Sequence, residues 1–292
     1  MGILFELFLS GLAVGSMYAI GTISLAMIWG SLGMLNLAHG AVLAIGGYGA
    51  YATVGYLGLP WWLGVLGGLV AGALAGVLLY LVIVRWLQEG ANFAVNIIIA
   101  TFAAGVLLQN LLLEVFDAEP KRQPFSFSGG FRLGDVVVPG QTVAVLLCGV
   151  LLATFMSWYL GRTGAGRAIR AVSQDRTAAA LIGLDVDRVF VKLLALSGAL
   201  SALSGVLLTG MTTVTPTVGF DPMLKALMIC VVAGLGSLWG AVGFAVFLGL
   251  FEVALQYLLG ARFGFPGVFA LAVLILVLRP YGLFGKKNVV RV

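Results

Sequence analysis

The sequence predicts an all-α, polytopic membrane protein forming a single transmembrane domain over 1–292, and two features of its composition lead to that reading. Hydrophobic residues make up 61% and charged residues only 9% of the 292 positions, against about 25% charged in soluble domains. The mean hydropathy is +1.13, so a surface built from this chain is stable only in lipid. Its apolar runs repeat at a length suited to membrane helices, and the chain length allows roughly eight to ten such spans.

The runs place helices near 3–29, 40–58, 61–86, 92–114, 136–160, 190–213, 222–234, 238–259 and 264–279. In the first, Glu6 is the only charge and apolar character continues to Trp29, which is long enough to span and longer than a secretory signal's apolar core. The second and third are rich in glycine (Gly46, Gly47, Gly49; Gly64, Gly67, Gly68, Gly72, Gly76), and in lipid small residues let helices approach closely. The fourth carries Asn92, Asn96, Thr101, Gln109 and Asn110. Pro120, Pro124, Gly129, Gly130 and mixed charge mark 115–135 as an external loop. The run at 222–234 is too short to cross comfortably alone, and Gly234-Leu235-Gly236-Ser237 after it reads as the break of a discontinuous helix.

Charge orients this set. With 161–189 in the cytoplasm and nine crossings, the inner side collects Arg85, Arg162, Arg167, Arg170, Arg176, Arg188, Lys192, Arg279, Lys286, Lys287 and Arg291, eleven of 16 basic residues. The outer side receives Lys121, Arg122, Arg132, Lys225 and Arg262 with the acidic Glu114, Asp117 and Glu119. The positive-inside rule then puts the N-terminus outside and the C-terminus in the cytoplasm. The net charge of +5 is thus a topology signal and does not point to nucleic acid.

The segment 161–189, GRTGAGRAIRAVSQDRTAAALIGLDVDRV, concentrates eight charged residues in a chain with only 16 Lys and Arg and 11 Asp and Glu. Asp175 or Ser173 is suited to cap a short helix from Arg176 to Ile182, and Gly183 to end it in the left-handed conformation. Two readings stand at this level. The segment is a solvated loop whose arginines set orientation and touch anionic lipid, or it is a rigid knob that fits a groove on a cytoplasmic protein.

Polar residues within apolar helices are site candidates because they are costly there. Asn36 and His39, the latter the sole histidine, lie in a glycine-bounded break between the first two helices. They either satisfy freed backbone groups or line a path. Glu252, with Gln256 one turn on, needs a partner on another helix or a role in the path. Lys225 either snorkels to the outer interface or attracts a substrate carboxylate. Asn96 and Thr101 add polar points, and Gln109 and Asn110 sit near the outer end of their helix. Cys148 and Cys230 stand apart in apolar runs and read as buried thiols, with no metal set. There is no constellation of catalytic residues.

Several segments resemble permease subunits of branched-chain amino-acid ABC importers. Thr177-Ala178-Ala179-Ala180-Leu181-Ile182-Gly183 resembles the E-A-A-x-x-x-G core of ABC-importer cytoplasmic loops, with Thr177 in the place of Glu. Gly166, Arg167, Ala168, Arg170, Ala171, Asp175, Leu181, Gly183, Asp187, Arg188 and Val189 fit the branched-chain form of that loop. Gly33 to Gly40 is similar to the family's G-x-x-N-x-A-H-G, although Ala41 follows where many members have Glu. Leu108-Gln109-Asn110, the run from Lys225-Ala226 through Gly234, Gly236-Ser237, Gly240-Ala241 to Glu252, and the tail Arg279-Pro280-Tyr281-Gly282-Leu283-Phe284-Gly285 also fit.

The resemblance implies a translocation subunit in a bacterial inner membrane, without catalysis of its own. It implies pairing with a second, homologous permease, two cytoplasmic ATPases and an extracytoplasmic solute-binding protein, with lipid around it. ATPase coupling would fall to Arg167, Arg170, Asp175, Thr177, Ala179, Gly183, Asp187 and Arg188, and the translocation path to Asn36, His39, Asn96, Thr101, Lys225 and Glu252. The G-x-x-x-x-G-K-[ST] phosphate loop does not occur in the chain, so ATP is expected on a partner and no cofactor here. The substrate expected is a branched-chain or hydrophobic amino acid, with urea or a short amide as the alternative. A passive channel and an ion-coupled transporter with Glu252 as its proton site are rivals that leave the 161–189 segment without a purpose.

Overall fold

The computed structural model describes residues 2–88, 90, 92–125, 129–133, 136–234 and 236–284. The basic tail residues Lys286, Lys287 and Arg291, the end of the tail motif at Gly285, the break residue Leu235 and the side chain of Arg132 lie outside the described residues.

The apolar runs become helices. They are α1 (Gly2–Leu32), α2 (His39–Gly55), α3 (Trp61–Leu87, with a π-helical turn at Tyr80–Val84) and α4 (Phe93–Phe116). A hairpin of β1 (Gly130–Leu133) and β2 (Val136–Pro139) follows, then α5 (Gly140–Arg162), α6 (Gly164–Gln174), α7 (Arg176–Leu181) and α8 (Val186–Thr209). The chain continues through α9 (Phe220–Ala233), α10 (Leu238–Leu259) and α11 (Ala261–Leu278, opening with a 3₁₀ turn). The protein is an all-α polytopic membrane protein apart from the hairpin.

Three sequence expectations are corrected. The helix expected from 136 starts at Gly140, because Val136–Pro139 pair antiparallel with Gly130–Leu133. The segment 115–135, expected as a loop, is therefore partly strand. The third correction is in 161–189, where a second helix, α6, precedes the expected one. Its buried Gly166, Ile169 and Val172 recur every third residue and seat one face on the bundle.

Among the described residues, seven helices are long and apolar enough to cross a membrane. The central one is α8, 67% buried over its apolar window, against 22% for α4 and α5 on the periphery. Around it pack α1, α2 and α3, while α10 pairs chiefly with α1. Glycines make these approaches close. A Cβ on Gly76 would overlap the carbonyl of Leu194, and one on Gly249 would overlap the backbone of Gly15.

The two shorter helices, α2 and α9, start inside the bundle. His39, the first residue of α2, accepts a bond on its carbonyl from Ser201 in the body of α8, at 3.0 Å. Gly105, midway along α4, lies against Ala38. Gly219, just before α9, touches the backbone of Gly40 so closely that neither tolerates a side chain. Each short helix is thus fed by a non-helical segment, 33–38 or 210–219, that runs to the middle of the bundle. Non-helical backbone at that depth is tolerated only against protein or a water-filled cavity.

Candidate translocation and coupling site

The 161–189 segment is built by local signals. The Asp175 carboxylate accepts from the Ala178 amide at 3.0 Å and caps α7. Gly183 follows the helix with φ of +87°, and its amide closes on the Ala180 carbonyl at 2.9 Å. Thr163 caps α6 and Asp185 caps α8 in the same manner. Arg167, Arg170, Asp175, Thr177 and Arg188 are exposed; Ser173, the other candidate cap, bonds the Arg170 carbonyl instead. Arg188 pairs with Asp185 at 2.7 Å in the open, a contact of little energy. Ala179 is buried against the bundle. Asp187 accepts from Tyr80 Oη at 2.6 Å and from Gln88 at 3.0 Å, which ties the start of α8 to the end of α3.

Leu181 and Ile182 at the end of α7 are 84% and 75% exposed. Two large apolar side chains on a segment otherwise rich in charge form a small greasy tip. Arg176 points the other way. It donates to the Leu32 carbonyl at 2.8 Å, and its guanidinium lies 5.2 Å from the Phe93 ring and 5.0 Å from the Phe190 ring. Burial lowers the Arg176 pKa from its ordinary value, and a guanidinium stays charged regardless.

Asn36, His39 and Thr101 gather at the mid-bundle break. The Asn36 side-chain oxygen accepts from the Ala38 amide at 3.0 Å. Thr101 of α4 accepts from the Leu37 amide at 3.1 Å and donates back to the Ile97 carbonyl at 2.7 Å. His39 Nδ1 lies 3.4 Å from Ser24 Oγ, and its Nε2 is buried with no partner among the described residues. Asn36 and Thr101 are therefore supports of the non-helical backbone. Asn96 does not join them; it is exposed on another side of α4.

Lys225 and Glu252, expected separately, form one cluster. Lys225 Nζ lies 2.6 Å from Glu252 Oε1 and donates to Tyr18 Oη at 2.6 Å, and Tyr18 in turn donates to Glu252 Oε2 at 2.7 Å. Of the two readings of Lys225, snorkelling is corrected: the side chain is buried and turned inward, where Glu252 and Tyr18 take up its charge and donors. Gln256 completes the carboxylate's surroundings at 3.3 Å.

Beside this cluster opens a cleft of about 560 Å³, whose polar wall includes Gln109, Thr212, Thr217, Asp221 and Lys225. It lies where α4 and α8 end and α9 begins. The 115–135 segment meets it there, with Lys121 and Val214 exchanging backbone bonds at 3.0 and 2.7 Å. The 161–189 segment is at the opposite end of α8, about 36 Å away at 1.5 Å per residue.

Compared with known proteins, residues 7–278 match the family model described as "Branched-chain amino acid transport system / permease component". The chain belongs to this family. Relatives include the high-affinity branched-chain amino acid transport system permease protein BraD of Pseudomonas aeruginosa, 29% identical over 97% of this chain and 96% of that one. LivH of Escherichia coli, with the same description, is 27% identical over 97% and 96%. The ribose import permease protein RbsC of Haemophilus influenzae is 28% identical over 84% of this chain and 75% of its own length.

As a member of a permease family the chain is a transport subunit and not an enzyme. The family resemblance read from 161–189 and from Gly33 to Gly40 is thereby confirmed across nearly the whole length. Sequence reasoning missed three features of this permease. Tyr18 reads as one more aromatic in an apolar helix, and Arg176 as one more orientation-setting cation. Sequence reasoning carries a helix on to 213 and passes over the residues after it, although the run Thr212-Thr213-Val214-Thr215-Pro216-Thr217 is polar and Pro-interrupted and the helix ends at Thr209.

Proposed function

We propose that this permease is the transmembrane subunit of an ATP-driven ABC importer for branched-chain and other hydrophobic amino acids, set in the bacterial inner membrane. Its partners are a second homologous permease, two cytoplasmic ATPases and an extracytoplasmic solute-binding protein. The N-terminus lies outside and the C-terminus in the cytoplasm, as the distribution of basic residues favours.

One observation supports the reading above the others: α7 is a bounded helix with an exposed apolar tip, Leu181 and Ile182, at the end of the bundle rich in arginine. Burying each of those side chains in a partner's groove contributes about 1.5–3 kcal/mol. A passive channel or an ion-coupled carrier has no use for such a tip. ATP-driven movement of the groove displaces α7, and with it the helices that α7 is tied to, which is a rigid-body transition biased by a ligand. The sequence has no G-x-x-x-x-G-K-[ST] phosphate loop, and in this reading the ATP belongs to the partner.

The test is uptake of radiolabelled leucine in cells or vesicles carrying the permease and its binding protein, with and without a hydrolysis-competent ATPase. Uptake requires the active ATPase; uptake that persists without it rejects the reading. Leucine, urea, acetamide and ribose in the same assay decide the substrate class, and leucine is expected to be taken up.

A further inference from the structure

Asp221 and Lys225 sit one turn apart on α9, the spacing at which opposite charges commonly pair. They do not pair. Lys225 turns into the bundle toward Glu252 and Tyr18, whereas Asp221 is exposed and forms no ion pair among the described residues. Both line the same cleft. An ammonium has three N–H donors, and the contacts to Glu252 Oε1 and Tyr18 Oη occupy two of them, leaving one for a further acceptor. The two charges therefore stand one helical turn apart, about 5–6 Å between their Cβ atoms, with neither satisfied by the other.

The rest of the cleft is mixed in character. Its lining carries threonine side chains and Gln109 together with the apolar Met17, Leu208, Val218 and Phe220. Its volume of about 560 Å³ falls within the roughly 300–1,000 Å³ of small-molecule sites. The floor is the first turn of α9 at the middle of the bundle, where the 210–219 segment ends against Gly40.

We propose that this cleft is a receiving site for a zwitterionic, apolar amino acid: the Asp221 carboxylate takes the ammonium group, the free donor of Lys225 takes the carboxylate, and the apolar lining takes the branched side chain. This deepens the amino-acid permease reading and rests on it. Lys225 is a bifunctional residue, held by Glu252 so that a single donor remains for the solute. Asp221 provides the selectivity, since a keto acid or fatty acid of the same shape leaves its charge unpaired, and a sugar engages neither charge.

The test uses the full-length permease in lipid nanodiscs and reads its thermal unfolding against added ligand. Leucine raises the midpoint in a saturable way. Isoamylamine, which is leucine without its carboxylate, does so more weakly. 4-Methylpentanoate, which lacks the ammonium group, and D-ribose have no effect. Asp221→Asn, an isosteric change at an exposed position, weakens the leucine response at least tenfold in half-saturating concentration. Gln109→Leu provides a second variant in the cleft lining, on α4 instead of α9, and weakens it several-fold. No leucine response in the unmodified protein, an equal response in Asp221→Asn, or an equal response to 4-methylpentanoate overturns the proposal. ATP-driven leucine uptake by the assembled transporter is measured in parallel. If uptake occurs while the cleft response is absent, the receiving site alone is wrong; if uptake is absent, the importer reading is wrong.

Discussion

Arg176 donates to the carbonyl of Leu32 at 2.8 Å, joining the first residue of α7 to the last residue of α1. The carbonyl is one of those left open at a helix C-terminus, where a cation is favourable. Phe93 and Phe190 hold the guanidinium from α4 and α8, so a displaced α7 draws on three spanning helices at once. The mid-bundle break at 33–38 begins directly after Leu32.

Arg176→Ala removes this tie. A hydrogen bond to a charged group contributes about 1.5–3 kcal/mol and a cation–π pair about 0.5–2 kcal/mol, which is more than a tenfold effect. Leucine uptake per ATP hydrolysed should fall about tenfold or more, with Arg176→Lys intermediate because it keeps the charge and loses the planar stacking. An unchanged ratio of uptake to hydrolysis would show that α7 moves the bundle by another route.

Leu181→Asp puts a charge on the exposed tip of α7. The permease folds as before, since the side chain is 84% exposed, but the ATPase no longer co-purifies with it. Retention of the ATPase at full stoichiometry would exclude the tip from the contact.

Gly183→Ala tests the stop of α7. The position has φ of +87° and open space around it, so the penalty is purely conformational, about 1–2 kcal/mol for a left-handed non-glycine residue. Uptake should fall several-fold with little change in the thermal midpoint of the bundle. A large drop in that midpoint would mean that Gly183 supports the bundle itself.

Glu252→Ala and Lys225→Met each strand a buried charge and should destabilise the permease by about 3–5 kcal/mol. Lys225→Met combined with Glu252→Met should recover most of that stability, because the cost lies in the unpaired partner. Unfolding in detergent, followed for the single and double variants, measures the coupling; strictly additive losses would disprove the pair.

Thr101→Val leaves the Leu37 amide without its 3.1 Å acceptor. A buried unsatisfied donor costs about 1–3 kcal/mol, so the unfolding midpoint should fall by an amount of that order. Thr101→Ser keeps the hydroxyl and should restore it.

What the chain determined by itself is local in character. Hydropathy set the class and placed the helices, because a lipid-facing helix must be apolar over a bilayer's thickness whatever its neighbours are. Asp175 and Gly183 bounded α7, since a cap bonds an amide three residues away and a left-handed glycine acts within one turn. The break at 33–38 was legible for the same reason: glycines and Asn36 interrupt an apolar run. Lys225 and Glu252 stood out individually as charges in apolar surroundings.

Their joining was decided only in three dimensions. Tyr18 lies 234 positions from Glu252 and 207 from Lys225, and Arg176 lies 144 from Leu32. Such pairings depend on the rotation and depth at which packed helices meet, which close glycine contacts such as Gly249 on Gly15 set, and no local pattern records that. The hairpin at 130–139 escaped for a related reason: Val136 to Val138 is as apolar as a helix start, and only pairing with the preceding strand makes it β. The cleft, too, is a product of assembly, formed where the ends of α4 and α8 leave the first turn of α9 uncovered.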